Sequence, residues 1–178
     1  MRVVGPERLV VIGATALTIL IDVRYELADG RGTRDVDAVV RASDWEEFQL
    51  IRENLLAAGF TGAREVHRLY YRDVALDLIP YSPGLTPDAV LTWPDDTVMS
   101  ALRLEEAFRC ATPQRIADVT VPMVSVAGSV LLKFVSYSDR PYGRQRDVDD
   151  VLHALQPAPT SSAGRSTRWP RRVPGTSY

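Results

Sequence analysis

The chain has 178 residues, enough for one domain with its own core and short for two. Hydrophobic residues at 46% and charged residues at 25% exclude disorder over most of the length, and the absence of any run of about 18 apolar residues excludes a membrane-spanning helix. The net charge of −2 joins an acidic body to a basic tail: all 23 Asp and Glu precede Pro157, whereas Arg165, Arg168, Arg171 and Arg172 follow it, and so acidic a body excludes a dedicated duplex-binding protein.

Residues 1–156 form the expected folded unit, with a core over 8–80 and a helical part over 97–156, and the Pro/Ser/Gly/Arg-rich stretch 157–178 is expected to be a disordered basic tail. Met1 to Arg8 are not followed by a signal-type cleavage site, so a cytoplasmic location is expected. Cys110 is alone, which leaves no internal disulfide and no thiolate zinc site, and it reads as a small core or surface residue.

In chain order, Leu9 to Ile12 is a short β-branched run ended by Gly13, and Ala14 to Tyr25 is helix-compatible, which predicts strand, tight turn, helix. Gly30 and Gly32 mark a loop, after which Asp35 to Val40 has strand composition. Ser43 and Glu46 have the spacing of a capping box, and Trp45, Phe48, Ile51, Leu55 and Leu56 follow at helical spacing until Gly59. Val66 to Tyr71 and Val74 to Ile79 flank Arg72-Asp73 and predict an antiparallel hairpin. Pro80 to Asp96, rich in proline, is predicted to be mostly loop. Thr97 to Phe108 is predicted helical, Ile116 to Val121 a strand, and Ser125 the cap of a helix reaching about Tyr137. The polar, turn-rich stretch 138–146 leads to a last short helix. There Val148, Val151, Leu152 and Leu155 are expected to face inward.

The chemistry lies in three aspartates. Asp35 and Asp37 stand at i and i+2 in a strand and so project from one face. Asp77 sits within the apolar strand Val74 to Ile79, on the face opposite Val74, Leu76 and Leu78, and a carboxylate there needs a positive partner. Three carboxylates on neighbouring strands make an oxygen-rich site suited to magnesium, and two metals so held suit phosphoryl or nucleotidyl transfer. Upstream, the Gly13-Ala14 turn offers backbone N–H groups to phosphate. Alone, an Asp-x-Asp pair is more often a solvated strand edge. The order strand-Gly-Ala-helix, then Arg31-Gly32-Thr33-Arg34-Asp35-Val36-Asp37, then Asp77 is what points to a site. Lys133, the one lysine in the chain, reads either as a phosphate contact or as a salt bridge joining two helices. His67 and His153 lack metal or triad spacing and read as surface or satisfied core positions.

These residues resemble the nucleotidyltransferase superfamily and, within it, the AbiEii/AbiGii toxin-like family, from about Val10 to Leu155 through Val11 to Ala16, Arg31 to Asp37, Leu76 to Pro80 and Lys133 to Asp150. The resemblance implies an α+β (α/β) nucleotidyltransferase-type fold, a small mixed sheet flanked by helices with a helical C-terminal part. It implies that Asp35, Asp37 and Asp77 are catalytic and hold magnesium, two ions in all. Asp77 would help to activate the acceptor hydroxyl. Gly13, Ala14, Thr15 and Thr33 would lie at the nucleoside triphosphate, with Lys133 on phosphate and Asp147 or Asp150 orienting it. The activity implied is transfer of a nucleoside monophosphate to an acceptor hydroxyl, RNA and transfer RNA included, by a toxin paired with an antitoxin protein. Two other readings stay open: a catalytically silent nucleotide-binding or interaction module, and a transferase acting on a small molecule of the aminoglycoside type.

Overall fold

Helix start signals overlap between Ser43 and Glu47, and in the structure, a computed structural model that describes residues 4–23, 33–139, 141–143 and 145–155, the second of them wins. Asp44 caps α2 (Trp45–Ala57) by accepting from the Glu47 N–H at 2.8 Å, and the Glu47 carboxylate accepts from the Ser43 N–H at 2.7 Å. The N-cap is thus Asp44, one residue beyond the Ser43 expectation, and Glu47 reaches back past it to the N–H of Ser43. The Ser43 N–H and the Arg8 guanidinium, the latter 2.5 Å away, hold the Glu47 carboxyl down at about 2. A depressed carboxyl stabilises the fold above its ordinary value of 4.5, and that contribution is lost as pH falls toward 2. The melting-temperature advantage of the parent over Glu47→Gln is therefore expected to be full at pH 6 and to shrink between pH 4.5 and 2.

A seven-stranded mixed sheet carries the fold, in the order β3-β4-β5-β2-β1-β9-β8. Its strands are β1 (Leu9–Ile12), β2 (Asp35–Arg41), β3 (Thr61–Gly62), β4 (Arg68–Tyr71), β5 (Val74–Tyr81), β8 (Thr112–Ile116) and β9 (Val119–Met123). β2 runs antiparallel to β1 and parallel to β5. The tight turn at Arg72-Asp73, with Arg72 at φ 57°, closes β4 onto β5 as the alternation of apolar residues predicts. The central strands supply fully buried Val10, Val39, Val40 and Leu78, and Phe48 of α2 and Met123 of β9 join them in one core cluster. The α+β class with a mixed sheet and flanking helices is therefore as expected.

Elsewhere the expectations need correction. The stretch after Pro80 is mostly loop as expected, but it also supplies β6 (Val90–Thr92), which forms a separate hairpin with β7 (Val98–Ser100) that turns at Trp93 to Asp96, with Asp96 at φ 62°. Thr97 to Phe108 is accordingly not one helix, and only α3 (Leu104–Arg109) is helical. The strand expected over Ile116 to Val121 is two strands hinged at Ala117-Asp118. The helix after Gly13 is α1 (Gly13–Leu17) followed by a π-type stretch over Thr18–Val23, and the rest of that helix expectation lies outside the described residues, as does the tail.

Two helices complete the fold, α4 (Val126–Asp139), where the Ser125 hydroxyl accepts from the Gly128 N–H at 3.1 Å, and α5 (Gln145–Ala154). α5 buries Asp147 and Val151 and half-buries Val148, while Leu152 and Leu155 are exposed, so only the Val148 and Val151 part of the expected apolar stripe turns toward the core. The inward positions are Asp147, Asp150, Val151 and Ala154, at i, i+3, i+4 and i+7, because the two carboxylates pair with Lys133 of α4 and Ala154 packs on Leu17, Leu20 and Ile21. Cys110 is an exposed free thiol. Among the described residues no helix is long and apolar enough to cross a membrane.

Candidate active site

Sheet register assembles the site. Arg68 of β4 is paired with Asp77 of β5, Asp77 with Asp37 of β2, and Asp37 with Ile12 of β1. Residues in register project from the same face, so Arg68, Asp77 and Asp37 form one row across three strands, which ends at the turn after β1. Asp35, two residues before Asp37, lies on that face in the next row, opposite Ala75.

The turn after β1 is shaped around Asp37. Gly13 has φ 71°, a left-handed conformation, and a Cβ built on it would collide with the Asp37 carboxylate. Both the dihedral and the contact require glycine. Gly13→Ala is expected to cost about 1–2 kcal/mol from the dihedral alone and to displace Asp37, which lowers the melting temperature by roughly 2–8 °C and reduces divalent-metal affinity. Thermal unfolding with and without Mn²⁺ measures both effects. Thr15 reaches across to donate to the Asp35 carbonyl at 2.6 Å, and the Thr33 hydroxyl donates to the Asp35 carboxylate. Thr15 and Thr33 thus hold the start of β2 in the structure.

Asp77 has the positive partner that its burial demands. The Arg68 guanidinium meets it as a fork, Nε to Oδ1 at 2.7 Å and Nη2 to Oδ2 at 2.6 Å, with the Asp77 side chain only 13% exposed. Hydrogen bonding to Asp77 outweighs partial burial and raises the Arg68 pKa above the ordinary arginine value.

Lys133 stands on α4 facing the same space. Its ammonium lies 2.8 Å from Asp147 Oδ1 and 2.8 Å from Asp150 Oδ2, and all three side chains are largely buried. Burial pulls the lysine down, but the hydrogen bonds with Asp147 and Asp150 prevail and hold it above its ordinary value. The ion pairs join α4 to α5, as the salt-bridge reading expects, and the same lysine lines the cleft.

Two adjoining cavities, of about 760 and 840 Å³, open over the row, and Asp37, His67, Asp77, Lys133 and Asp147 line both. Thr33, Asp35 and Ala14 line the second, together with Asp150. The first extends over Trp93, Met99 and Leu104 to Asp88, Asp139 and Ser129. Volumes of this size match those of small-molecule sites.

Three residues here were not singled out from sequence. His67, read from sequence as a surface or satisfied core position, packs half-buried on Trp93 with ring centroids 5.2 Å apart and also lines both cavities. Ser129, one helical turn before Lys133, is 2% exposed, and its hydroxyl has no hydrogen-bond partner among the described residues. Arg68 was legible: a two-residue turn at Arg72-Asp73 fixes the hairpin register, and counting back from it sets residue 68 opposite residue 77.

The donors fit a hard divalent cation. Asp35 and Asp37 offer carboxylate oxygens from one face of β2, and magnesium is commonly held by one or two carboxylates, with water and substrate phosphate completing six ligands. Among the described residues no group of three or more His, Cys, Asp or Glu side chains is placed to hold a metal ion.

No protein-family model matches the sequence, and no curated protein matches it. Among solved structures, the chain is similar to the antibiotic-resistance factor ANT(2'')-Ia in its solution structure, over 83% of this chain and 72% of that chain, with 15% identity and a TM-score of 0.49. It is similar to an antigenic nucleotidyltransferase-like protein from Paracoccidioides brasiliensis over 82% of this chain and 66% of that chain, with 18% identity and a TM-score of 0.48. The lincosamide antibiotic adenylyltransferase LnuA, bound to lincomycin, matches over 82% of this chain and 86% of that chain, with 17% identity and a TM-score of 0.44.

Proposed function

We propose that the chain is a metal-dependent nucleotidyltransferase of the AbiEii/AbiGii toxin-like kind, moving a nucleoside monophosphate from a nucleoside triphosphate to a hydroxyl of RNA, transfer RNA included. The observation that carries this reading is the row itself: Asp37 and Asp77 in register on parallel strands, Asp35 on the same face, and a glycine turn that only a residue without Cβ can make beside Asp37.

In this reading the acceptor oxygen forms a bond to the α-phosphorus, the bond from that phosphorus to the oxygen bridging to the β-phosphate breaks, pyrophosphate leaves, and the acceptor proton passes to solvent. Asp35 and Asp37 hold magnesium, which when bound neutralises phosphate charge and polarises the reacting centre. Backbone N–H groups of Gly13 and Ala14 face phosphate, Thr15 and Thr33 keep Asp35 in place, and Lys133, aimed by Asp147 and Asp150, adds a fixed positive charge on the cavity wall. A cytoplasmic setting with an antitoxin partner belongs to the same reading.

A second reading, a small hydroxyl-bearing cation as acceptor, is favoured by one observation: the first cavity adds Asp88 and Asp139 to the row, an acidic wall that repels a phosphate backbone. The test supplies magnesium, each α-labelled nucleoside triphosphate in turn, and either total transfer RNA or a panel of polycationic alcohols, with Asp35→Ala run in parallel. Label in RNA with the intact chain alone supports the first reading. Label confined to the alcohols supports the second, and nucleotide binding without transfer to either makes the chain a silent binding module.

A further inference from the structure

Both oxygens of Asp77 accept from Arg68, a pair made across adjacent strands in register and largely shielded from water. Two of the carboxylate's roughly four lone-pair positions are thereby taken in a planar fork. A second divalent ion drawing on Asp77 would sit beside a guanidinium that cannot give up its charge. Arg68 is no incidental surface neighbour, since it stands at the end of the row that contains Asp37 and lines the cavity shared by Asp35 and Asp37.

We propose that Arg68 takes the place of a second metal ion at Asp77, so that this chain, on the reading above, binds one divalent cation through Asp35 and Asp37 with Asp77 held as the partner of Arg68. Arg68 is then a positioning residue. It fixes Asp77 in a single orientation and supplies beside the phosphates the positive charge that a second ion would bring. The two-ion expectation drawn from the resemblance is replaced by one ion and one arginine.

Titration with Mn²⁺ alone, followed by electron paramagnetic resonance and calorimetry, tests this on the full chain without any turnover. One tight Mn²⁺ per chain is expected for the parent, and Asp37→Asn should weaken it by about tenfold or more. The double variant Arg68→Met/Asp77→Asn preserves net charge and leaves the Asp35 and Asp37 carboxylates in place, so it is expected to retain one ion. Arg68→Met alone uncovers Asp77 and is expected to admit a second ion. Should that variant fail to fold, the parent stoichiometry and the neutral double variant still decide. Two ions on the parent overturn the inference and leave the proposed function standing, as does loss of the ion in the double variant to the extent seen with Asp37→Asn. No Mn²⁺ binding by the parent overturns the inference and the metal-dependent reading together.

Discussion

Asp37→Asn is expected to lower nucleotidyl transfer by about three orders of magnitude while leaving the fold intact. Polarisation by a held cation contributes several kcal/mol to such a reaction, and each 1.36 kcal/mol is tenfold in rate, which sets the scale at roughly 10³. Asparagine keeps the shape of aspartate and its place opposite Ile12 and Asp77, so the melting temperature is expected to move by no more than about 4 °C. Initial rates at saturating nucleotide, with circular dichroism melting beside them, separate loss of the charge from loss of the fold. A variant that retains half its activity would remove Asp37 from the chemistry.

Lys133→Met is expected to destabilise the chain by about 3–5 kcal/mol, the usual cost of removing one partner from a buried ion pair. The reason is specific to α5. Asp147 and Asp150 both face inward onto Lys133, and the Asp147 side chain is 6% exposed. Loss of the ammonium between α4 and α5 is expected to weaken their packing and with it the contact of Ala154 on Leu17, Leu20 and Ile21. Adding Asp147→Asn and Asp150→Asn to Lys133→Met should recover most of the loss, because removing all the charges also removes the desolvation penalty. The sign of the pH dependence follows from the raised lysine: the stabilisation is fully present below the ordinary lysine value and is lost as pH rises through the higher folded-state value. Denaturant unfolding at neutral and strongly alkaline pH is expected to show the difference between parent and Lys133→Met narrowing at the alkaline end.

Much of the site was legible because its residues obey local rules. Alternation put Asp35 and Asp37 on one face, burial demanded a cation for Asp77, and the turn at Arg72-Asp73 set which arginine supplies it. What no local rule contains is the neighbour relation of β2 and β5, since a parallel pair is joined through α2, β3 and β4 and its register depends on how that whole segment packs. The β6/β7 hairpin was hidden for a different reason. Its strands have three residues each and are flanked by Pro87 and Pro94, so turn signals outnumber strand signals.

The N-cap slipped by one because Ser43 and Asp44 each have a glutamate three residues on, and only hydrogen-bond geometry chooses between them. α5 misled in part, since of Val148, Val151, Leu152 and Leu155 at helical spacing Leu152 and Leu155 are exposed, while the inward face holds Val151 together with Asp147 and Asp150. A buried ion pair overrode the hydrophobic pattern. That outcome is expected where polar residues carry a role beyond stability.

The central claim is that the carboxylate row carries out transfer at the α-phosphorus. The most direct measurement supplies α-labelled and γ-labelled nucleoside triphosphate separately with magnesium and transfer RNA and follows both the acceptor and the released phosphate. α-Label on the acceptor and γ-label released as pyrophosphate in equal amount are expected, with both abolished in Asp35→Ala. γ-Label on the acceptor, or release of inorganic phosphate in place of pyrophosphate, would contradict it.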